Sequence, residues 1–281
     1  MFKRFLKKFA CSELINTPKD RARFIPRSSF QIAPLYVILP YFNYCKYESR
    51  TKLFLDFIKR VGRRPLLKLV VIEATPKGQP FDLPDFSSDL VCLHLKVELT
   101  DRIWIKENLI NLAIRNLPEP WTYVAWVDAD LTFTNESWVQ DTIQALKKVD
   151  VVQMFDSAVN LGPNGETLKT ERGFVYQYLN SPIPYHAKNK YGVWHPGYAW
   201  ACHRRAYEKM GGLFDVGILG SGDRHMALAW IGKGELSYPN NIHLDYMVSL
   251  KTFQDKCQGI QLGYVPGTIL HHFHGSLKDR P

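Results

Sequence analysis

Short, wholly apolar runs separated by stretches of helical period constrain this chain more than any other feature. Leu35-Tyr-Val-Ile-Leu39 is one such run, closed by Pro40 and the polar Asn43. Leu66 to Ile72 is a second and ends at Glu73, Leu90 to Leu95 is a third, and Tyr123-Val-Ala-Trp-Val127 and Val151 to Phe155 complete the series. A strand that is apolar on both sides must be covered on both faces, so the pattern predicts buried, mostly parallel strands. Between the runs, Leu53, Phe54, Phe57, Ile58 and Val61 recur at helical spacing up to Gly62. Ile103, Leu109, Leu112, Ala113 and Ile114 mark a second helix, with Asp101 as its expected cap and Pro118 and Pro120 closing it. Val139, Ile143, Leu146 and Val149 mark a third, capped from Thr134 or Asn135. Strands alternating with helices give an α/β chain: a Rossmann-like, mostly parallel central sheet flanked by helices. One domain is expected over residues 31–281, after an N-terminal arm of residues 1–30. From Asp156 to about Trp194 periodicity fades among Gly, Pro, Asn and aromatic residues, and a connection that long is expected to cover a functional site.

Charge narrows the choice of partner. The chain of 281 residues carries a net charge of +9, which points to an anionic partner such as phosphate groups, a membrane surface or nucleic acid. No recognisable nucleic-acid module or basic–aromatic stripe is present, which argues against nucleic acid. Phe2, Phe5, Leu6 and Phe9 follow helical spacing among Lys3, Arg4, Lys7 and Lys8. Such a basic amphipathic segment suits peripheral contact with an anionic membrane. No apolar run is long enough to span a bilayer, and no cleavable signal is evident. Five scattered cysteines without CxxC spacing fit a reducing, cytoplasmic compartment.

Ligands of doubly wound sheets bind beyond the carboxyl ends of the strands. Asn43, Glu73, Asp128 and Asp130 are therefore expected to border one crevice. Asp128 and Asp130 leave a buried strand two residues apart, and the period of two puts both carboxylates on one side. There they suit a hard cation, Mn²⁺ or Mg²⁺, able to neutralise a departing diphosphate. The plainer reading is a turn or capping pair. Thr268-Ile-Leu-His-His-Phe-His-Gly275 reads as a strand, with His272 and His274 on one face. His274 is the first candidate for a third metal ligand and His272 the second. Asp223 follows a Gly-rich turn, placed to take a proton from an attacking hydroxyl or to cap the helix around Met226 to Ile231. A pairing of Asp223 with His225 is disfavoured, because i and i+2 do not face each other on a helix. Trp194, His195 and Tyr198, in a stretch that also holds Tyr185, Tyr191 and Trp200, are candidates to pack against an acceptor's sugar ring.

Trp126-Val-Asp-Ala-Asp130 followed by Leu131-Thr-Phe-Thr134 resembles the metal-binding DxD segment of GT-A-fold glycosyltransferases. Val37-Ile-Leu-Pro-Tyr-Phe-Asn43 is similar to the opening strand and loop of family-2-like members, which implies that Pro40 and Asn43 line a nucleotide pocket. The resemblance places Glu73 at the base or ribose and Asn111, on the helix of Lys106-Glu-Asn-Leu-Ile-Asn-Leu-Ala113, near the sugar nucleotide. It implies that Asp130 ligates the metal directly, while Asp128 acts as a ligand, through bound water, or on the ribose. Gly211-Gly-Leu-Phe-Asp215 and Gly220-Ser-Gly-Asp223 resemble segments of the galactosyltransferase-like group and imply that Asp223 is the general base of an inverting reaction. Position 222 departs from that pattern, holding Gly where an acidic residue is usual. A C-terminal histidine followed by basic residues is also similar, implying that Lys278 and Arg280 approach the diphosphate. The resemblance implies a hexosyl- or pentosyltransferase with a nucleotide-sugar donor, UDP-linked first and GDP-linked second, and a glycan or glycoconjugate acceptor. Residues 31–155 would form the nucleotide-binding half and 156–281 the acceptor-binding half. A metal-dependent phosphohydrolase or nucleotidyltransferase would be expected to carry more carboxylates or a phosphate loop, and a non-catalytic carbohydrate-binding protein stands as the third possibility.

Overall fold

A computed structural model describes residues 33–181, 194–218 and 220–275. The arm that carries Phe2 to Phe9 lies outside the described residues. The apolar runs become β1 (Leu35–Phe42), β2 (Leu67–Pro76), β3 (Leu93–Leu99) and β4 (Tyr123–Val127). β1 pairs in parallel with β2 and β4, and β2 pairs in parallel with β3. The third strand sits a few residues later than the apolar run at Leu90 suggests, because Ser87 caps a turn with Leu90 and Val91 before the chain extends.

Alternation along these strands assigns their two faces. In β4, Tyr123, Ala125 and Val127 pack against Phe54, Phe57, Ile58 and Val61 of α1 (Glu48–Val61). Val124 and Trp126 pack on the other face with Leu109, Ile110, Ala113 and Ile114 of α2 (Lys106–Arg115). α2 begins later than expected: Asp101 accepts only from the Thr100 hydroxyl, and the residue before the helix is Ile105. α3 (Trp138–Leu146) packs with α1 on its side of the sheet, where Asn135 accepts from Ser137 N.

The sheet continues through β6 (Val151–Gln153), β10 (Ala199–His203) and β11 (Leu262–Tyr264), giving seven strands in the order β11-β6-β10-β4-β1-β2-β3. Only β10 runs against its neighbours, so the sheet is mostly parallel and helices cover both faces, as the sequence predicts. A second sheet of five strands, in the order β5-β12-β7-β8-β9, has a counterpart in the sequence reading only in its strand from Thr268. It is built from β5 (Leu131–Phe133), β7 (Ser157–Leu161), β8 (Thr167–Gly173), β9 (Trp194–His195) and β12 (Thr268–His271). Within the stretch after Asp156, residues 157–180 form a hairpin of β7 and β8 leading into α4 (Phe174–Asn180). α5 (Arg204–Met210), α6 (Gly222–Trp230) and α7 (Leu244–Lys256) pack on the α2 side. Cys45, Cys92, Cys202 and Cys257 are free thiols. Among the described residues no helix is long and apolar enough to cross a membrane.

Candidate active site

β4 ends where its alternation can be extended by one step. The parity that turns Val124 and Trp126 towards α2 carries Asp128 to the same side, where α2 begins. Lys106 Nζ lies there, 2.7 Å from Asp128 Oδ1 and 3.3 Å from Asp223 Oδ2 in the first turn of α6. The lysine is buried, and burial works to lower its pKa. The carboxylates of Asp128, Asp223 and Glu107 outweigh that, so the amine is held above its ordinary range as a fixed cation. Burial pushes the Asp128 carboxyl up to about 6, with Lys106 acting in the opposite direction.

Asp130 meets a different set of partners. β12 pairs antiparallel with β5, with His271 opposite Leu131, so the end of β12 lies beside the DxD turn. His271 Nε2 is 3.6 Å and His274 Nε2 3.4 Å from Asp130 Oδ2. One ligand atom from each of the three residues lies within 4.8 Å of the others. Burial would raise the Asp130 pKa, but the two imidazoles and Lys106 hold it below its ordinary value, so the carboxylate is ionised. Its Oδ1 is buried and makes no hydrogen bond. His271 Nδ1 lies 2.8 Å from Asn160 Oδ1, which can only accept, so Nδ1 carries a proton and Nε2 is the ring nitrogen turned to Asp130. Two imidazole nitrogens and an unpartnered carboxylate oxygen fit a divalent cation. The nitrogen content favours Mn²⁺ over Mg²⁺, which prefers oxygen ligands.

His272 does not join this group, contrary to the alternation expected of it. The strand stops at His271, and strand parity stops with it. His272 N donates to Asp130 O at 2.8 Å, and the ring turns to Thr132 Oγ1 at 2.7 Å. Asp128 also stands apart, joined to Lys106 rather than to the histidines.

Three residues expected near a nucleotide have hydrogen-bond partners within the fold. Asn43 closes the turn into α1, its amide donating to Tyr47 O and accepting from Tyr47 N. Glu73 is fully buried, and its Oε1 accepts from Asp82 N and Leu83 N, pinning the Pro-rich loop. Asn111 donates to Leu213 O and Asp215 Oδ2 and accepts from Leu213 N and Tyr207 OH, which ties α2 to the Gly-Gly segment. Pro40 lies past the last β1–β4 pair, Ile38 with Trp126, where a missing N–H removes no bond to β4. Lys278 and Arg280 lie outside the described residues, as do Tyr185 and Tyr191.

The aromatic candidates do converge on the site. The His195 ring stacks on Tyr198 at 3.7 Å and 8°, and the Tyr198 ring lies 4.8 Å from His271. Burial pushes the His195 pKa down to about 4, so the ring is neutral at pH 7. Tyr198 has φ +77°, a strained value for a non-glycine residue, and its carbonyl accepts from Asp128 N at 2.9 Å. Gly197 is where a side chain is excluded: a Cβ there would sit 3.0 Å from both Asp223 Oδ2 and His195 Cε1. Trp194 packs on Phe174 and lies beside the Arg224 guanidinium.

α6 starts at Gly222, with Ser221 in the capping position at φ +65°, so Asp223 is a first-turn residue and not the cap. Its Oδ1 is buried without a hydrogen bond. A Cβ on Gly222 would overlap the buried carboxylate of Glu107, whose pKa is pushed up to about 7 by burial and by Asp223. His225, two residues on, bonds Ser237 and points away from the site's carboxylates. Sequence reasoning missed Lys106, Glu107, Asn160, Gly197 and His271. Only His271 carried a visible signal, as a neighbour of the two histidines that were singled out.

No family profile matches the sequence, and no curated protein matches it. Among solved structures the chain is similar to the catalytic domain of Drosophila β1,4-galactosyltransferase 7 in complex with xylobiose, at 13% identity and a TM-score of 0.46, covering 89% of this chain and 74% of that one. It is similar to the mannosyltransferase PcManGT from Pyrobaculum calidifontis in complex with GDP-Man and Mn²⁺, at 17% identity and a TM-score of 0.46, covering 92% and 64%. It is also similar to GalNAc-T7 with UDP, GalNAc and Mn²⁺, at 12% identity and a TM-score of 0.47, covering 87% and 45%. The chain therefore spans about two thirds of the mannosyltransferase and under half of GalNAc-T7. The functional reading rests on the chain's own side chains.

Proposed function

We propose that this protein is a metal-dependent glycosyltransferase that moves a hexose or pentose from a nucleoside-diphosphate sugar to a hydroxyl of a glycan or glycoconjugate, with inversion. The observation that carries the proposal is the pair of adjoining clusters at the end of β4: Asp130 with His271 and His274, and Lys106 between Asp128 and Asp223. Mn²⁺ bound by the first cluster would offset the charge gathering on a departing diphosphate. Lys106, cationic and buried, holds the Asp128 and Asp223 side chains at fixed positions beside it. Asp223, with one oxygen on Lys106 and one unpartnered, is the group that takes the acceptor's proton. The bare backbone of Gly197 leaves space against that carboxylate, and the neutral His195–Tyr198 stack offers an apolar face with polar edges to a sugar ring. UDP is the first carrier to test and GDP the second.

The test is transfer from a panel of radiolabelled nucleotide sugars with Mn²⁺ present. Asp223→Asn keeps nucleotide binding and lowers transfer by about 10²- to 10⁴-fold, the usual contribution of a general base. Equal transfer by this variant and the parent chain would remove Asp223 from the role.

A further inference from the structure

We propose that Asn160 and Glu171 are the positioning residues of the metal site, setting which ring nitrogen of His271 faces the cation. This rests on the metal-site reading above and extends it to the hairpin of β7 and β8, in which the sequence singled out no residue.

Asn160 lies on β7, opposite His271 of β12 in the parallel register of the small sheet. Its amide oxygen is shared: His271 Nδ1 and Tyr198 OH both lie 2.8 Å from Oδ1. Its amide nitrogen donates to Glu171 Oε2 at 3.0 Å. Glu171, on β8, is 8% exposed, and its other oxygen accepts from Lys169 Nζ at 2.8 Å. A carboxylate accepts and cannot donate, so Glu171 fixes which end of the Asn160 amide points at it. The oxygen must then face His271 and Tyr198. An oxygen in that position requires His271 to hold a proton on Nδ1, so Nε2, turned to Asp130, is the nitrogen left for a cation. The relay runs from Glu171 through Asn160 to His271, and each link is a hydrogen bond whose direction is set by the one before it. A partner on the remote nitrogen commonly orients a ligating histidine and contributes 10- to 100-fold in metal affinity. The same oxygen holds Tyr198, so one amide anchors both a ligand histidine and the aromatic stack beside the base.

The experiment has two readouts on the full chain. In the metal-free protein, long-range ¹H–¹⁵N correlation of the imidazoles reports the His271 tautomer, with its signals assigned by comparison with His271→Gln. In the same protein, titration with Mn²⁺ alone, followed by the loss of the free-ion EPR signal, reports affinity. Asn160→Leu is expected to convert His271 from the Nδ1–H form to a mixture or to Nε2–H, and to weaken Mn²⁺ binding by about 10- to 100-fold. Glu171→Met, which leaves Asn160 in place but free to turn over, is expected to shift both readouts the same way by a smaller amount. Glu171→Gln, which can still accept from the Asn160 amide, is expected to restore them. An unchanged tautomer in both Asn160→Leu and Glu171→Met would overturn the relay, whether or not Mn²⁺ binds. Failure of the parent chain to bind Mn²⁺, with the Nδ1–H tautomer present and lost in Asn160→Leu, would overturn the metal site while leaving the relay intact. Should Asn160→Leu fail to fold, Glu171→Met against Glu171→Gln gives the same decision.

Discussion

Lys106 Nζ lies 2.7 Å from Asp128 Oδ1, at the first residue of α2 and one residue past the end of β4. This contact explains why the two aspartates of the DxD segment behave differently. Asp128 is turned to the lysine on the α2 face of the sheet, and Asp130 is left to the histidines of β12. Removing the lysine leaves Asp128 and Asp223 as neighbouring, half-buried carboxylates without their shared cation. Lys106→Met is therefore expected to lower stability by about 2 kcal/mol, less than for a fully enclosed pair because both carboxylates keep some solvent contact. Chemical denaturation of the metal-free protein measures this, and an unchanged midpoint would contradict it.

Glu107 supplies a pH dependence whose sign is fixed by geometry. Its carboxyl is buried against Gly222 at the start of α6, with Asp223 opposing its ionisation and Lys106 favouring it. Its folded pKa, about 7, stands above the ordinary carboxylate value, so between pH 4.5 and 7 the folded state holds a proton that the unfolded chain has lost. Stability from this group is present at low pH and falls as pH rises through that window. Denaturation midpoints of the metal-free parent should show that fall, and Glu107→Gln should flatten it. The same slope in the variant would mean that another group is responsible.

His271 and His272 make opposite predictions from adjacent positions. His271→Ala removes a ligand atom from the Asp130 group and should weaken Mn²⁺ binding by at least about 10-fold. His272→Ala removes a bond to Thr132 on the outer side of the same strand end and should leave Mn²⁺ affinity within a few-fold of the parent. Calorimetric titration with MnCl₂ distinguishes them, and the reverse order of effects would overturn the assignment.

Those two histidines also show where the sequence stopped being readable. Runs such as Leu35–Leu39 and Tyr123–Val127 are legible because a strand covered on both faces leaves no polar position, and they predicted the central sheet. The period of two that set Asp128 and Asp130 on one side did not foresee that Asp128 turns to Lys106 and Asp130 to the histidines. Apart from its strand from Thr268, the small sheet left no such trace. Most of β8 is exposed, and its residues Thr167 to Gly173 show neither a hydrophobic run nor clean alternation. The parity of His271 against His272 depends on the residue at which β12 ends, a matter of pairing with β5 that local pattern does not encode. Asn43, Glu73 and Asn111 were located near strand and helix ends, yet their backbone partners, such as Leu213 for Asn111, are distant in sequence. Lys106 entered the sequence reading only as the first residue of the segment that carries Asn111. Its meaning comes from Asp223, which lies 117 residues away.

The central claim is that Asp130, His271 and His274 hold a divalent cation through which a nucleoside diphosphate binds. Isothermal titration calorimetry of UDP, then GDP, into the parent chain and into Asp130→Ala, each with and without Mn²⁺, tests it most directly. The account predicts binding of at least one nucleotide by the parent only when Mn²⁺ is present, and none by a folded Asp130→Ala under either condition. Nucleotide binding that is indifferent to Mn²⁺, or that survives in Asp130→Ala, would contradict it.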